Sequence, residues 1–305
     1  IIGASGTLGQ IIPPSIVLVL LADIFQGANE QASQISGDLA PNPVSSVDLF
    51  AGAIIPGLIL VVLYALWIFI YSLLFPKNLP VKKFQKKSNL SKILSTVISP
   101  ILLILTVLGS ILFGIATPTE SASLGALGSI IIAKKKKMDS KIIKDVCLQT
   151  LKINAMVFFI LIGASLFSLV FRGFGGDISV ENFLTEIPGS KNNAFILVMV
   201  TIFILGFFLD FFQIVFVIVP IVGPSLISLG FDPIWLALMF AINLQTSFLT
   251  PPFGFALFYL RGVSKDLVRT TDIYIGVLPF IFLQLMLLLI LFWYPSLITW
   301  LPSKL

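Results

Sequence analysis

The chain has 305 residues, of which 57% are hydrophobic and 11% are charged, and its mean hydropathy is +1.08. Soluble domains carry about 25% charged residues, so this composition excludes an ordinary soluble protein and indicates an integral protein of the lipid bilayer. The net charge of +5 comes from short lysine clusters rather than from a continuous basic face, which argues against a nucleic-acid partner.

The first apolar segment, residues 1–22, contains residues that interrupt a helix. Three glycines lie in it, and the pair Pro13-Pro14 lacks the backbone N–H groups that a helix needs. We therefore predict a broken helix here. The next stretch, residues 23–48, is polar and acidic and predicts a loop. Because the sequence begins within an apolar segment, we expect it to be the C-terminal part of a longer protein.

Three membrane spans are predicted next, at residues 47–75, 96–116 and 121–133. A lysine-rich loop separates the first two spans, and four lysines follow the third at 134–137. Short lysine-rich loops lie on the cytoplasmic side of membranes, so both clusters are placed inside and the 23–48 loop outside.

Two further spans are predicted, and each follows an interfacial segment. Residues 138–152 predict an amphipathic helix at the membrane interface, and residues 153–171 predict a span that crosses outward to a loop. The C-terminal part, 263–305, is read as an interfacial segment and a last span at 273–300.

Residues 194–228 predict a re-entrant helical hairpin with Asp210 at its turn. A carboxylate at mid-membrane costs about 2.5–3.5 kcal/mol, so it normally has a partner or a wet site. We expect Asp210 and Gln213 at this tip to offer oxygen ligands to a sodium ion. Asp210 could also cap the second hairpin helix, and the two roles are compatible.

A second broken helix is predicted at residues 231–260, because Pro251-Pro252 and Gly254 interrupt it. Bare backbone inside a bilayer is tolerated where protein or a wet cavity covers it, and transporters place ions and substrates at such breaks. The polar residues before the break are Asn243, Gln245, Thr246, Ser247 and Thr250. The candidate sodium ligands among them are Asn243, Thr246, Ser247 and Thr250.

The two broken segments share a pattern, since residues 7–14 (TLGQIIPP) match residues 245–252 (QTSFLTPP). The lysine distribution gives them opposite orientations, which is typical of an inverted repeat with a binding site between its halves. We assign 1–22 to the first repeat and 96–262 to the second, within transport and scaffold helices at 1–262. The candidate sodium ligands at the first break are Ser5, Gly6, Thr7 and Gly9.

The run Thr117-Pro118-Thr119-Glu120 predicts a capping box with proline at the first helical position. The helix that follows is short, which places Glu120 at membrane depth. We count these residues, the four prolines of the two breaks and Gly254 as candidates for substrate contact or for a structural break. The small residues at 121–129 predict close helix packing.

An enzyme is not expected. Residues 3–6 (GASG) spell a serine elbow, but the sequence contains no histidine to serve as its base. Asp210 is the only clear intramembrane aspartate, whereas an aspartyl protease needs a pair. Cys147 is the only cysteine, so an internal disulfide is impossible. We expect no catalytic residue and no cofactor other than Na⁺ as coupling ion.

Five motifs together resemble the large membrane subunit of tripartite ATP-independent periplasmic (TRAP) transporters, in the order of that family. They are residues 3–9 (GASGTLG), 12–16 (IPPSI), 48–57 (DLFAGAIIPG), 114–122 (GIATPTESA) and 249–254 (LTPPFG). The resemblance covers essentially the whole chain. It implies the ion transporter superfamily, an elevator mechanism and a bacterial inner-membrane location. The first hairpin of that family is not in this sequence.

The resemblance further implies sodium-driven uptake of organic acids such as dicarboxylates, sugar acids or 2-oxo acids. Its implied partners are a periplasmic substrate-binding protein and a small four-helix membrane subunit. Asp210 and the two broken segments would line the ion and substrate sites. Two alternatives stay open, namely proton coupling through Glu120 and Asp210, and a structural membrane subunit without a translocation path.

Overall fold

The structure is a computed structural model. It describes residues 1–37, 43–76, 90–134, 139–189, 191–251, 254–264 and 268–304. In these ranges the chain is helical and contains no β-strand, which confirms the prediction of an all-α protein. Among the described residues, four helical stretches are long and apolar enough to cross a membrane, so a polytopic membrane protein is confirmed. These stretches are Ser46–Leu74, Ser140–Gly173, Phe211–Ser228 and Thr270–Trp293.

The helices are numbered in chain order. They are α1 (Ile2–Thr7), α2 (Ile16–Ser36), α3 (Ser46–Leu74), α4 (Leu90–Leu112), α5 (Pro118–Lys134), α6 (Ser140–Gly173), α7 (Gly176–Thr185), α8 (Lys191–Leu205), α9 (Phe211–Gln213), α10 (Val219–Ser228), α11 (Pro233–Leu249), α12 (Phe255–Ser264), α13 (Thr270–Trp293) and α14 (Ser296–Thr299). The chain forms two compact units, a first unit of residues 1–61 and 154–305 and a second unit of residues 62–153.

Helix α2 corrects the prediction of a loop at 23–48, because it continues to Ser36 before Gly37 ends it in the left-handed conformation at φ 74°. Its polar second half carries a face of small buried residues that packs against α10. A Cβ at Gly223 of α10 would lie 3.3 Å from the Cβ of Ala28. The polar residues that suggested a loop therefore belong to a helix whose small residues meet a neighbour.

Helix α6 corrects a second prediction, because it runs unbroken from Ser140 to Gly173. The sequence predicts an interfacial helix and a separate span in this stretch. Neither glycine nor proline occurs between Ser140 and Ile162, so nothing in the backbone interrupts the helix. The predicted loop after residue 171 is also partly helical, since it contains α7.

The other predicted spans correspond to α3, α4, α5 and α13, with shifted ends. The largest shift is at the C-terminus, where α13 ends at Trp293 rather than near Trp300. Tyr294 leaves the helical region because it precedes Pro295, and the ring of a proline disfavours helical backbone in the residue before it.

The second unit contains a pair of helices, α4 and α5, that pack through small residues as predicted. A Cβ at Gly125 would lie 3.3 Å from Val107, and a Cβ at Gly128 would collide with Leu103. The hydroxyls of Ser110 and Ser121 share a hydrogen bond of 2.8 Å across the two helices. Glycine and serine thus allow the close approach of α4 to α5.

Candidate functional site

The two broken helices of the first unit lie antiparallel to each other. Gly3, near the start of the first, lies beside Leu260 of α12, whose Cδ2 is 3.4 Å from the position of a Cβ. Phe25 of α2 makes an edge contact with Phe240 of α11, with ring centroids 5.6 Å apart. Contacts therefore move backward along the second helix as they move forward along the first. This is the relative orientation that the lysine distribution predicts.

The first break lies between α1 and α2. After Thr7 the chain makes a short 3₁₀ turn at Leu8–Gln10 and leaves helical structure until Ser15. The Ser15 hydroxyl accepts a hydrogen bond from Leu18 N at 3.4 Å and so caps α2. Pro13 is buried and Pro14 is exposed. The interruption thus falls where the sequence predicts it.

Of the four ligands predicted at the first break, Thr7 alone is buried. Its hydroxyl donates to the carbonyl of Ala4 at 2.8 Å. Ser5 is exposed, and Gly6 and Gly9 are exposed with no atom within 4 Å of a Cβ built on either. The structure therefore turns Thr7 toward α11 and the other three toward open space.

The second break begins after Leu249, where Thr250 takes extended backbone angles of φ −92° and ψ 127°. Gly254 ends the break, and its N–H donates to the Thr250 carbonyl at 3.1 Å. A Cβ at Gly254 would lie 2.6 Å from the carbonyl oxygen of Phe248, so a side chain does not fit there. Pro251 lies in this turn, and Pro252 lies outside the described residues.

Three predicted ligands at the second break are hydroxyls that donate to carbonyls of their own helix. Thr246 Oγ1 donates to Ile242 O, Ser247 Oγ donates to Leu244 O and Thr250 Oγ1 donates to Thr246 O, each at 2.8 Å. Thr246 and Ser247 are fully buried. Each hydroxyl oxygen keeps acceptor capacity, so these groups can still coordinate a cation.

Asn243 also bonds to a neighbouring helix. Its Nδ2 donates to the carbonyl of Met199 on α8 at 2.8 Å, and it precedes Thr250 by seven residues, about 10 Å along a helix. The Nδ2 group therefore fastens α11 to the first hairpin helix.

Gln245 is the residue that the structure distinguishes most clearly. Its side chain is fully buried, and its Nε2 donates to Thr7 Oγ1 at 3.4 Å, which links the two broken helices at the level of their breaks. Its Oε1 has no hydrogen-bond partner among the residues that the structure describes. A buried acceptor left unsatisfied costs about 1–3 kcal/mol. The sequence predicts Gln245 as one of the polar residues that face the hairpin tip and offer oxygens there.

The hairpin turn between α8 and α9 carries Asp210, which caps the second hairpin helix. Asp210 Oδ1 accepts from Phe211 N at 2.8 Å, and Gln213 Oε1 accepts from Asp210 N at 3.1 Å. This reciprocal arrangement satisfies N–H groups at a helix start. The Asp210 side chain also accepts from the backbone of Gln213, which completes the capping box, and the predicted capping role is confirmed.

The hairpin tip rests on the second break. A Cβ at Gly206, in the hairpin turn, would collide with the hydroxyl of Ser247. Phe211 makes an edge contact with Phe248, with centroids 6.5 Å apart. Gly206 was not predicted from the sequence, although a glycine four residues before Asp210 was a usable signal.

The predicted capping box at Thr117 is confirmed in the second unit. Glu120 N donates to Thr117 Oγ1 at 3.3 Å, and Thr117 N donates to Glu120 Oε2 at 2.8 Å, with Pro118 at the first helical position. Glu120 and Thr119 are exposed. This unit contains neither of the broken helices.

The polar side chains at the two breaks present neutral hydroxyl and amide oxygen atoms. In the described part of the chain, no group of three or more His, Cys, Asp or Glu residues could hold a metal ion. Hydroxyl, amide and backbone oxygens suit a hard monovalent cation better than a transition metal. Two antiparallel broken helices with a hairpin on one break define a class of membrane transport proteins.

The comparison with known families agrees with this class. The family described as the tripartite ATP-independent periplasmic transporter, DctM component, matches residues 1–297. The chain belongs to this family, which consists of transporters and not of enzymes.

Three curated relatives illustrate the family. A C4-dicarboxylate TRAP transporter large permease protein of Vibrio cholerae is 28% identical over 99% of the chain and 67% of that relative. A 2,3-diketo-L-gulonate TRAP transporter large permease protein of Escherichia coli is 27% identical over 100% of the chain and 67% of its own length. A sialic acid TRAP transporter permease protein of Haemophilus influenzae is 26% identical over 100% of the chain but only 46% of its own length.

Proposed function

We propose that the protein acts as the large permease subunit of a secondary active TRAP transporter that imports organic acids with sodium across the bacterial inner membrane. Family membership supports the permease role. The relatives are named for a C4-dicarboxylate, for 2,3-diketo-L-gulonate and for sialic acid, which all carry a carboxylate, so the proposed substrate is an organic acid.

The observation that carries sodium coupling is the unpaired Oε1 of Gln245. Among the described residues it has no hydrogen-bond partner, and the Nε2 of the same buried amide donates to Thr7 Oγ1 on the other broken helix. The buried hydroxyls of Thr246 and Ser247 belong to the next two residues of α11. Sodium prefers such hard oxygen ligands. An ion bound there would satisfy the amide oxygen and stabilise the ends of the half-helices.

An anionic substrate would follow the cation. Helices α2 and α12 both begin at a break, and the N-terminal end of a helix carries a partial positive charge that favours a carboxylate. Few cationic side chains lie in the membrane-spanning segments, so the bound sodium supplies charge that the substrate needs in a site of low dielectric constant. A movement of the hairpin-bearing part would then switch access in an elevator-like step.

The proposed partners are a small four-helix membrane subunit and a periplasmic binding protein that delivers the substrate. The description of the family as tripartite supports an assembly of this kind. Such a complex places the substrate-capturing step outside the permease.

The test is uptake by the full-length protein, with its partners, in proteoliposomes under a sodium gradient or under a pH gradient alone. We expect uptake with the sodium gradient only. Gln245→Leu, which keeps the volume but removes the oxygen, should raise the half-saturating sodium concentration at least about tenfold, the effect of 1.4 kcal/mol. The matched control Gln149→Leu changes an exposed glutamine of α6 and should leave sodium dependence unchanged.

Three results would contradict the proposal in different ways. Uptake driven by pH without sodium would favour the proton-coupled alternative through Glu120 and Asp210. Unchanged sodium dependence in Gln245→Leu would remove Gln245 from the site. An absence of uptake under every gradient, with the partners present and the protein folded, would favour a structural subunit.

A further inference from the structure

Charge is divided unevenly between the two units. Thirteen of the 19 Lys and Arg residues but three of the 14 Asp and Glu residues lie at 62–153, which gives that stretch a formal net charge of +10 and leaves −5 for the rest. Three of those lysines lie on the described first part of α6, at Lys141, Lys144 and Lys152. Transport through the broken helices gives no reason for this concentration of positive charge.

The three lysines share one face of α6. At 100° per residue, Lys144 and Lys152 lie within an arc of about 80° that includes Lys141. Asp145 borders this arc and lowers its net charge to +2. The opposite face carries aliphatic residues. They are Ile142, Ile143 and Val146, which are 50%, 45% and 59% exposed.

This part of the helix is exposed among the residues that the structure describes. Every residue from Asp139 to Met156 is exposed, on the lysine face and on the aliphatic face alike. The helix has 34 residues and is about 51 Å long, whereas a bilayer is about 40–45 Å thick with its headgroups. The first part of α6 therefore extends from the apolar span into the headgroup region and beyond it.

We propose that residues 140–152 of α6 bind anionic phospholipids of the cytoplasmic leaflet. In this arrangement the ammonium groups of Lys141, Lys144 and Lys152 contact lipid phosphates. A tilt of α6 that brings these lysines to the membrane surface also turns the opposite aliphatic face toward the acyl chains. Basic residues directly cytoplasmic of a span are attracted by anionic lipid surfaces, by about fivefold in binding for each lysine. The inference concerns the second unit and does not depend on sodium coupling.

Cys147 provides the probe, because it lies between the lysines, is exposed and is the only cysteine of the 305 residues. The full-length protein, with any cysteine outside these 305 residues replaced by serine, would carry a nitroxide at Cys147 and be reconstituted in phosphatidylcholine vesicles with or without phosphatidylglycerol. Collisions with oxygen report lipid immersion of the label, and collisions with a water-soluble nickel complex report exposure to water. We expect phosphatidylglycerol to immerse the label.

The variants separate charge from structure. One variant combines Lys141→Gln, Lys144→Gln and Lys152→Gln. It should lower the equilibrium constant for the lipid-immersed position of the label in phosphatidylglycerol on the order of a hundredfold, as expected from three lysines. The triple arginine variant at the same positions should retain it, and Lys304→Gln, an exposed lysine of the first unit, should not change it. Salt at about 1 M, with a Debye length of about 3 Å, should also abolish it.

Two results would overturn the proposal. One is an equal depth of the label with and without phosphatidylglycerol. The other is a label shielded from both collision partners in both kinds of vesicle, because a protein rather than lipid would then cover α6.

Discussion

The two breaks have similar sequences but different surroundings. At the second break, Ser247 is buried under the hairpin turn, where Gly206 leaves no room for a side chain. At the first break, the aligned residue Gly9 is exposed with open space in front of it. Proline pairs and small polar residues thus create an interrupted helix, whereas burial of its polar groups depends on a separate element that covers it.

The largest loss of stability is expected when a side chain is added at the second break. Gly254→Ala places a Cβ against the carbonyl oxygen of Phe248, and backbone cannot rotate away as a side chain can. We expect a loss of about 3 kcal/mol or more in stability, seen as a clear fall in the thermal unfolding midpoint in detergent. Gly9→Ala is the matched control and should change the midpoint little. Equal effects of both substitutions would contradict the difference between the breaks.

A smaller loss of stability is expected from a substitution where the hairpin turn contacts the second break. Gly206→Ala should cost about 1–3 kcal/mol because the new methyl group collides with the Ser247 side chain. Adding Ser247→Gly removes the colliding atoms, so the double variant should recover part of the unfolding midpoint. If the double variant is no more stable than Gly206→Ala, the hairpin does not rest on Ser247.

The capping role of Asp210 can be tested separately from the role of its negative charge. Asp210→Ala should cost about 1 kcal/mol through loss of the cap, while Asp210→Asn keeps an oxygen for Phe211 N and should keep the unfolding midpoint. Sodium-dependent uptake measured in the asparagine variant then reports the carboxylate alone. Wild-type sodium dependence in Asp210→Asn would restrict Asp210 to its capping role.

The smallest change in stability, a slight gain, is expected from a substitution at the first break. Gly6 lies in α1, is exposed and has no atom within 4 Å of a built Cβ. Gly6→Ala should therefore raise stability by about 0.5 kcal/mol through helix propensity. A fall in the unfolding midpoint would show that Gly6 is in contact with a covering element.

Local backbone chemistry explains what the sequence predicted well. The proline pairs located both breaks, Asp210 located the hairpin turn, and Thr117 with Glu120 located the start of α5. Each of these signals acts within a few residues of the structure that it determines. The antiparallel relation of the breaks also followed, because the lysine distribution fixes orientation independently of contacts.

Tertiary partners explain what the sequence could not predict. The polar second half of α2 suggested a loop, because its sequence does not reveal that small residues such as Ala28 face α10. The sequence also does not reveal that Asn243 Nδ2 donates to the Met199 carbonyl of another helix. The prediction of an inverted repeat across the whole chain and the assignment of sodium ligands stay predictions.

The bond from Asn243 to the Met199 carbonyl limits how the hairpin can open. Seven residues, about 10 Å of helix, separate Met199 from Gly206 at the turn. If the hairpin opens while this bond is kept, it bends on the turn side of Met199. Only the last two turns of α8 and the hairpin tip then move away from α11. A larger opening would carry α11 with it, and the second broken helix and the hairpin tip that covers its break would then travel as one piece.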